Sequence, residues 1–473
     1  MIFRHFFEPR LEQSSYLMGC RATGHALVID PNRRIDQYVE AATAEGLRIR
    51  AVAETHVHAD FVSGACALAR RTGATQYVSG EGDPDGEYAF RADAGVRAIR
   101  HGDSFRVGEI RIDAVHTPGH TPEHLTFLVT EKPVSSEPFG AFTGDFLSAG
   151  DVGRPELIDD QAGCALSPET AARDMYRSLV AFSRRADSLL VWPGHRCGRR
   201  CSPSTDPSLV TTLGDEKLAN WALAISDEDV FVARLLADQP DVPRYFGEVK
   251  HLNRTGPPFC EEIDDLPPIG ADQLNELMVA YSQFLDVRPE GPGRGLLPGS
   301  IALPLTRDFL TAAGSVLRYH MPVYIVALDR RHAIEAADAL RLIGIDEVGG
   351  WASEFAVEAY AARGERLERL VEIGPAQAFA RQAAGAVMVD VRTTAEWRSG
   401  HIPGATHVPM TRLVDGMRTV DRDTRLVVYS HTGARARVAG TVLRRVGFAH
   451  VASLAGGFAA CPPPEITAPA GAS

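Results

Sequence analysis

Short apolar runs that end in polar or ionisable residues recur through the first half of the chain, each leading into a stretch with helical spacing. Leu27-Val28-Ile29 ends at Asp30 and leads into Ile35 to Ala44, and Ile49 to Ala53 leads into Asp60 to Arg71. The runs read as strands, and Phe61, Ala65 and Leu68 give the second helix an inward stripe with Asp60 as its cap. Strand alternating with helix predicts sheets flanked by helices over residues 1–240.

The residues that close these runs carry the chemistry. Thr55-His56-Val57-His58-Ala59-Asp60 closes one of them, and Val115-His116-Thr117-Pro118-Gly119-His120, Phe142-Thr143-Gly144-Asp145 and Val191-Trp192-Pro193-Gly194-His195 repeat the arrangement. Residues at alternating positions of an extended or loop backbone point the same way, so His56, His58 and Asp60 can converge on one cation. One His-x-His by itself would as readily cap a strand or pair within a core. Four such clusters predict a metal site assembled at the ends of several strands.

Pro, Gly and Asp residues crowd 238–268, with Gly256-Pro257-Pro258 and Leu266-Pro267-Pro268, and mark a domain boundary. Beyond it the chain repeats itself. Phe284-Leu285-Asp286-Val287-Arg288 is matched by Met388-Val389-Asp390-Val391-Arg392, and Leu297-Pro298-Gly299-Ser300 by Ile402-Pro403-Gly404-Ala405. Strand, turn, strand and helix recurring at an offset of about a hundred residues describe a duplicated small α/β domain, with too long a period for a solenoid. The expected division is 1–240, a linker at 241–262, copies at 263–355 and 370–461, and a disordered tail over 462–473.

Composition narrows the partners. A net charge of −12 argues against nucleic acid or an anionic membrane surface. The amino terminus lacks a sustained apolar stretch, and no run of about 18 apolar residues occurs, so the expected compartment is the cytoplasm. The 7 cysteines are an odd number scattered over a long chain and read as free thiols.

His56-x-His58-x-Asp60, Pro118-Gly119-His120, Thr143-Gly144-Asp145 and Pro193-Gly194-His195 resemble the motifs of the metallo-β-lactamase superfamily. The resemblance implies an αββα sandwich with metal at the edge where strands end. Dinuclear hydrolases of that superfamily have a further His after the Asp, where this chain has Phe61, a ring without donor atoms. A single metal is therefore expected. The longer match, Thr117 to His124 with Gly144-Asp145-Phe146-Leu147 and Asp151-Val152-Gly153-Arg154-Pro155, resembles the persulfide dioxygenase branch. It implies one Fe(II) per chain on His56, His120 and Asp145, with Zn as the alternative, and a thiol persulfide and O2 as reactants. His58, Asp60 and His195 are then expected to hold the ligands by hydrogen bonds. Arg154 is a candidate for a substrate carboxylate, and a turn-stabilising ion pair is an equal alternative for it. His116 and His124 lean towards structural roles. Cys201 stands six residues after His195, as in persulfide dioxygenases fused to sulfurtransferases. Arginines around it favour thiolate.

Asp-Val-Arg, Gly-His-Ile-Pro-Gly-Ala and Tyr429-Ser430-His431-Thr432-Gly433-Ala434-Arg435 resemble a rhodanese sulfurtransferase domain. In that family the loop cradles an anion or persulfide with backbone N–H groups at a helix N-terminus. Here Ser430 stands at the nucleophile position, with Gly433 and Arg435 behind it. A hydroxyl cannot carry a sulfane sulfur, so this copy is expected to lack thiol-based transfer. The first copy, with Leu328 and Asp329 in the matching loop, reads as structural. The resemblance to fused persulfide dioxygenase–sulfurtransferases spans nearly the whole chain and implies a homo-oligomer. A zinc thioester hydrolase, and a docking role for the two copies, remain open alternatives.

Overall fold

The computed structural model describes residues 1–82, 88–132, 134–155, 167–195, 210–237, 239, 241–260, 263, 265–279, 282–289 and 295–461. The expected tail at 462–473 and Cys201 lie outside the described residues. The chain divides into two compact units, Met1–Gln239 with Phe246–Cys260, and Pro240–Tyr245 with Glu261–Ser473.

The first unit is built on two six-stranded sheets. One runs in the order Ile2–Glu8, Gln13–Cys20, His25–Ile29, Arg48–Ala53, Thr75–Ser79, Val96–Ile99. The other runs Thr211–Thr212, Leu190–Pro193, Gly140–Gly144, Leu125–Glu131, Ile110–His116, Ser104–Val107. Alternation along the strands sorts the side chains between layers. Tyr16 and Met18 join Phe127, Phe142 and Trp192 between the sheets, whereas Leu17 and Val28 face outward against Tyr38 and Leu68. On the far side Ala141 and Val191 pack against Met175, Leu179 and Phe231. Both faces of each sheet are thus buried, which is why the strands read as nearly continuous apolar runs. Fully burying a side chain of this size contributes roughly 1.5–3 kcal/mol. The layers form the expected αββα sandwich.

Two expectations need correction. Asp60 does not cap a helix: the helix begins at Ala65 behind Gly64, which makes no side-chain cap, and Asp60 is held elsewhere. The stretch 241–262 is not a plain linker, because Phe246–Thr255 is a helix belonging to the first unit. Its polar Asn253 is buried and reaches the loop behind the strand Arg48–Ala53.

The second unit contains both repeats. Parallel strands run Ile301–Ala302, Gln283–Asp286, Val323–Ala327, Val348–Ser353 in the first, and Thr406–His407, Val387–Asp390, Leu426–Tyr429, Val451–Leu454, Val371–Ile373 in the second. The two copies share one strand order, with a strand added in the second, and a buried ion pair recurs in detail. Arg288 Nη2 donates to Asp286 Oδ2 at 2.6 Å and to the Gly295 carbonyl at 3.0 Å. Arg392 Nη2 does the same to Asp390 Oδ2 and the Gly400 carbonyl, both at 2.7 Å. Removing one partner of such a pair strands a buried charge and costs about 3–5 kcal/mol. No helix among the described residues is long and apolar enough to cross a membrane.

Candidate metal centre

The three predicted ligands, and His195 expected to support them, each follow a strand: His56 after Arg48–Ala53, His120 after Ile110–His116, Asp145 after Gly140–Gly144 and His195 after Leu190–Pro193. Among the described residues one set of donor atoms converges, those of His56, His120 and Asp145, all within 4.8 Å of one another. Asp145 Oδ2 lies 3.5 Å from His120 Nε2 and 3.9 Å from His56 Nε2. The backbone is tight around it. A Cβ on Gly153 would fall 1.7 Å from the Asp145 carbonyl oxygen, so this turn admits only glycine.

Neighbouring groups set which ring nitrogen is free. His120 Nδ1 donates to the Arg154 carbonyl at 2.6 Å, leaving Nε2 as a lone-pair donor. Thr55 Oγ1 donates its single proton to Asp30 Oδ2 at 2.9 Å, so it accepts from His56 Nδ1 at 3.0 Å. His56 Nε2 is then also unprotonated. Burial, with His58 and His120 close by, pushes the His56 pKa well below its usual range, which keeps the ring neutral. Burial works against the Asp145 carboxylate, but His195, His120 and His56 outweigh it and hold its pKa well below the ordinary value. Two imidazoles that turn Nε2 towards a carboxylate oxygen fit a divalent cation that prefers nitrogen and oxygen.

His195 is committed on both sides. Its Nδ1 donates to Asp145 Oδ1 at 2.7 Å and its Nε2 to Asp60 Oδ2 at 2.8 Å. Burial opposes the charged ring, and the two carboxylates outweigh it, raising the His195 pKa well above the usual imidazole range. Phe61 is fully buried with its ring 4.4 Å from that of His58. Phe61 brings no donor atom to this side of the site, where Asp60 and His195 pair with each other.

His58 stands 3.2 Å from Asp30 Oδ1 in an electrostatic contact, but neither of its ring nitrogens makes an aligned hydrogen bond. Burial opposes its charge and Asp30 overcomes this, lifting its pKa to about 9. His124 bonds Thr117 Oγ1 through Nδ1 at 2.8 Å, and its buried Nε2 has no partner. His116 bonds the Pro122 carbonyl. The Arg154 Nη1 donates to the Leu235 carbonyl at 3.2 Å, and its own carbonyl accepts from His120 Nδ1.

Three supporting residues carry no ligand pattern in the sequence. Asp30, buried and at φ 48°, also accepts from the Thr55 N–H at 2.7 Å. Glu123 accepts from Val57 N–H at 2.9 Å. Asn253 donates to the His58 and Phe61 carbonyls at 2.7 and 2.8 Å and accepts from Ser63 N–H at 2.8 Å. Only Asp30 left a signal, an acid directly after an apolar run.

In the second copy, Ser430 is buried and its Oγ accepts from the N–H groups of Gly433 and Ala436, both at 3.2 Å. The cradle is formed, with Gly433 at φ 93°. Arg435 makes a two-pronged pair with Glu396 at 2.8 and 2.6 Å and is not directed into the loop. In the first copy the Asp329 carboxylate accepts from His332 N–H at 2.8 Å, so a side chain occupies the helix end where an anion would bind.

Comparison with known proteins agrees with this geometry. The family profile of the metallo-β-lactamase superfamily matches residues 9–195, and that of the rhodanese-like domain matches residues 375–461. A hydroxyacylglutathione hydrolase of Polaromonas sp. is 31% identical over 50% of this chain and 93% of its own length. The mitochondrial persulfide dioxygenase of Bos taurus is 28% identical over 48% of this chain and 78% of its own. A solved metallo-β-lactamase structure from Staphylococcus aureus superposes with a TM-score of 0.66 at 34% identity, covering 75% of this chain and 99% of that one. The chain belongs to the metallo-β-lactamase superfamily. Its metal domain has persulfide dioxygenases among its homologues and is fused to a C-terminal rhodanese-like domain.

Proposed function

We propose that the chain is an iron-dependent dioxygenase that oxidises the terminal sulfur of a small-thiol persulfide to sulfite and releases the thiol. The observation that carries this reading is the lone convergence of His56, His120 and Asp145 among the described residues, with Phe61 and the His195–Asp60 pair standing where further ligands would be needed. Two histidines and a carboxylate on one side of a cation are the donor set of non-haem iron sites with open positions. Iron(II), if held by His56, His120 and Asp145, would supply the redox chemistry that joins sulfur and dioxygen. The overall reaction is RSSH + O2 + H2O → RSH + SO3²⁻ + 2 H⁺, in which the S–S bond breaks, the terminal sulfur is oxidised and dioxygen is reduced.

The protein's own part is positioning. The Arg154 carbonyl and Thr55 hydroxyl fix the two imidazoles, His195 fixes the carboxylate, and Asn253 pins the loop that carries His56 and His58. The rhodanese-like copies are read as inactive in sulfur transfer, since Ser430 and Leu328 offer no thiol.

A zinc-dependent thioester hydrolase is the second reading, favoured by the likeness to hydroxyacylglutathione hydrolase. Elemental analysis of protein purified without added metal, followed by oxygen-electrode and thioester assays, separates them. One iron per chain and oxygen uptake on glutathione persulfide, both lost in His120→Ala, is the expected result. Zinc with thioester cleavage and no oxygen uptake would refute the dioxygenase.

A further inference from the structure

The second unit holds a cavity of about 1020 Å³ that the proposed reaction does not use. Arg244, Arg318, Arg418, Arg422 and Arg445 line it, with Asp415 as the single carboxylate among the described residues. On a chain of net charge −12 this local excess runs against the overall balance.

Apart from Arg244, the pairing of these arginines leaves their charge uncompensated. Arg445, half-buried at the end of helix Ala434–Arg445, donates to the Gly299 and Ser282 carbonyls of the first copy at 2.9 and 2.8 Å. Arg422 donates to the Met417 and Val420 carbonyls, also neutral acceptors. Arg244 approaches Asp415 at 3.9 Å. The exposed guanidinium groups of Arg318 and Arg418 have no carboxylate partner among the described residues. Burial and the charge of Arg318 both pull the Arg445 pKa down, the mark of like charges held together.

Basic residues at helix C-termini complement the macrodipole. That accounts for Arg445, and for Arg318 just past helix Phe309–Val316. It does not account for Arg418 and Arg422, which come after only the four-residue helix Leu413–Gly416. The cavity also has apolar wall from Ile301, Val316, Met321 and Val442. Its volume is at the upper end of the roughly 300–1,000 Å³ typical of sites for drug-sized ligands, far more than a simple ion fills.

The geometry points to a binding site for a small organic polyphosphate, a molecule with two or more phosphoryl groups at one end and an apolar or aromatic body. Guanidinium forks suit phosphoryl oxygens bidentately, and several of them around one cavity match a ligand with several such groups. The apolar wall takes the body. All the residues involved belong to the second unit, so the proposal stands whether or not the metal domain is a dioxygenase.

Isothermal titration calorimetry on the full chain tests it, with ADP, pyrophosphate and orthophosphate as probes. ADP and pyrophosphate should bind saturably and at least tenfold more tightly than orthophosphate. Arg318→Ala/Arg418→Ala should weaken ADP at least tenfold while leaving the melting temperature and metal content in place, because both side chains are exposed. Arg418→Ala alone provides a milder variant. No saturable binding of either polyphosphate, wild-type affinity in the double variant, or orthophosphate binding as tightly as ADP would each overturn the proposal.

Discussion

Asn253→Ala should unseat the metal loop from a distance. The Asn253 side chain is buried and makes three hydrogen bonds to backbone around His58, Phe61 and Ser63. Truncation leaves two carbonyls and one N–H without partners inside the first unit. A buried polar group left unmatched costs about 1–3 kcal/mol, so the lower end of that range for each gives a loss of roughly 3–5 kcal/mol. For a unit of this size that lowers the melting temperature by about 10 °C. Loss of groups that orient ligands typically weakens metal binding about 10- to 100-fold. Asn253→Asp sharpens the test, because the carboxylate keeps the acceptor for Ser63 but sets oxygen against the His58 and Phe61 carbonyls. It should be no better than alanine despite its matching shape. Calorimetry and chelator competition read both effects. Wild-type melting and metal affinity in Asn253→Asp would refute the idea that this amide holds the loop.

Phe61→His adds a donor beside Asp60 and His195, and zinc-loaded protein should bind one more metal per chain than the parent by elemental analysis; an unchanged ratio would refute the idea that Phe61 keeps a second ion out. Ser430→Cys places a thiol in a cradle already formed by the Gly433 and Ala436 N–H groups, and thiosulfate:cyanide sulfurtransferase activity should appear. Absence of thiocyanate formation would mean that Arg435, tied to Glu396, is needed in the loop. Burial opposes ionisation of Glu396, but Arg435 and Thr393 hold its pKa down at about 2 against 4.5. A depressed carboxylate stabilises above its unfolded pKa and loses that stability as pH falls through the folded one. Glu396→Gln should therefore flatten the pH dependence of unfolding between about 4.5 and 2, by about 1 kcal/mol for a half-buried pair; an unchanged slope in urea titrations would sink this.

The parts legible in the sequence were those with local causes. Apolar runs ending in His or Asp marked the strand ends because a sheet delivers its C-terminal residues to one edge, and the repeated Asp-Val-Arg marked two copies of one clasp. What escaped depends on distant chain. Asp60 looked like a helix cap from its neighbours, yet His195, 135 residues away in sequence, claims it. Helix Phe246–Thr255 lies in a Pro- and Gly-rich stretch that reads as a linker, and nothing near Asn253 tells that its amide ends up under the His58 loop. Arg154 is a related case: the sequence offered its side chain for a substrate carboxylate or an ion pair, and gave no sign that its backbone carbonyl would orient His120.

The contact between His195 and Asp145 reaches further than its two atoms. One oxygen of Asp145 accepts from His195 at 2.7 Å, and the other lies nearest the two ligand imidazoles. A cation held by His56, His120 and Asp145 would thus meet a carboxylate whose orientation is set from behind by a histidine rooted on another strand.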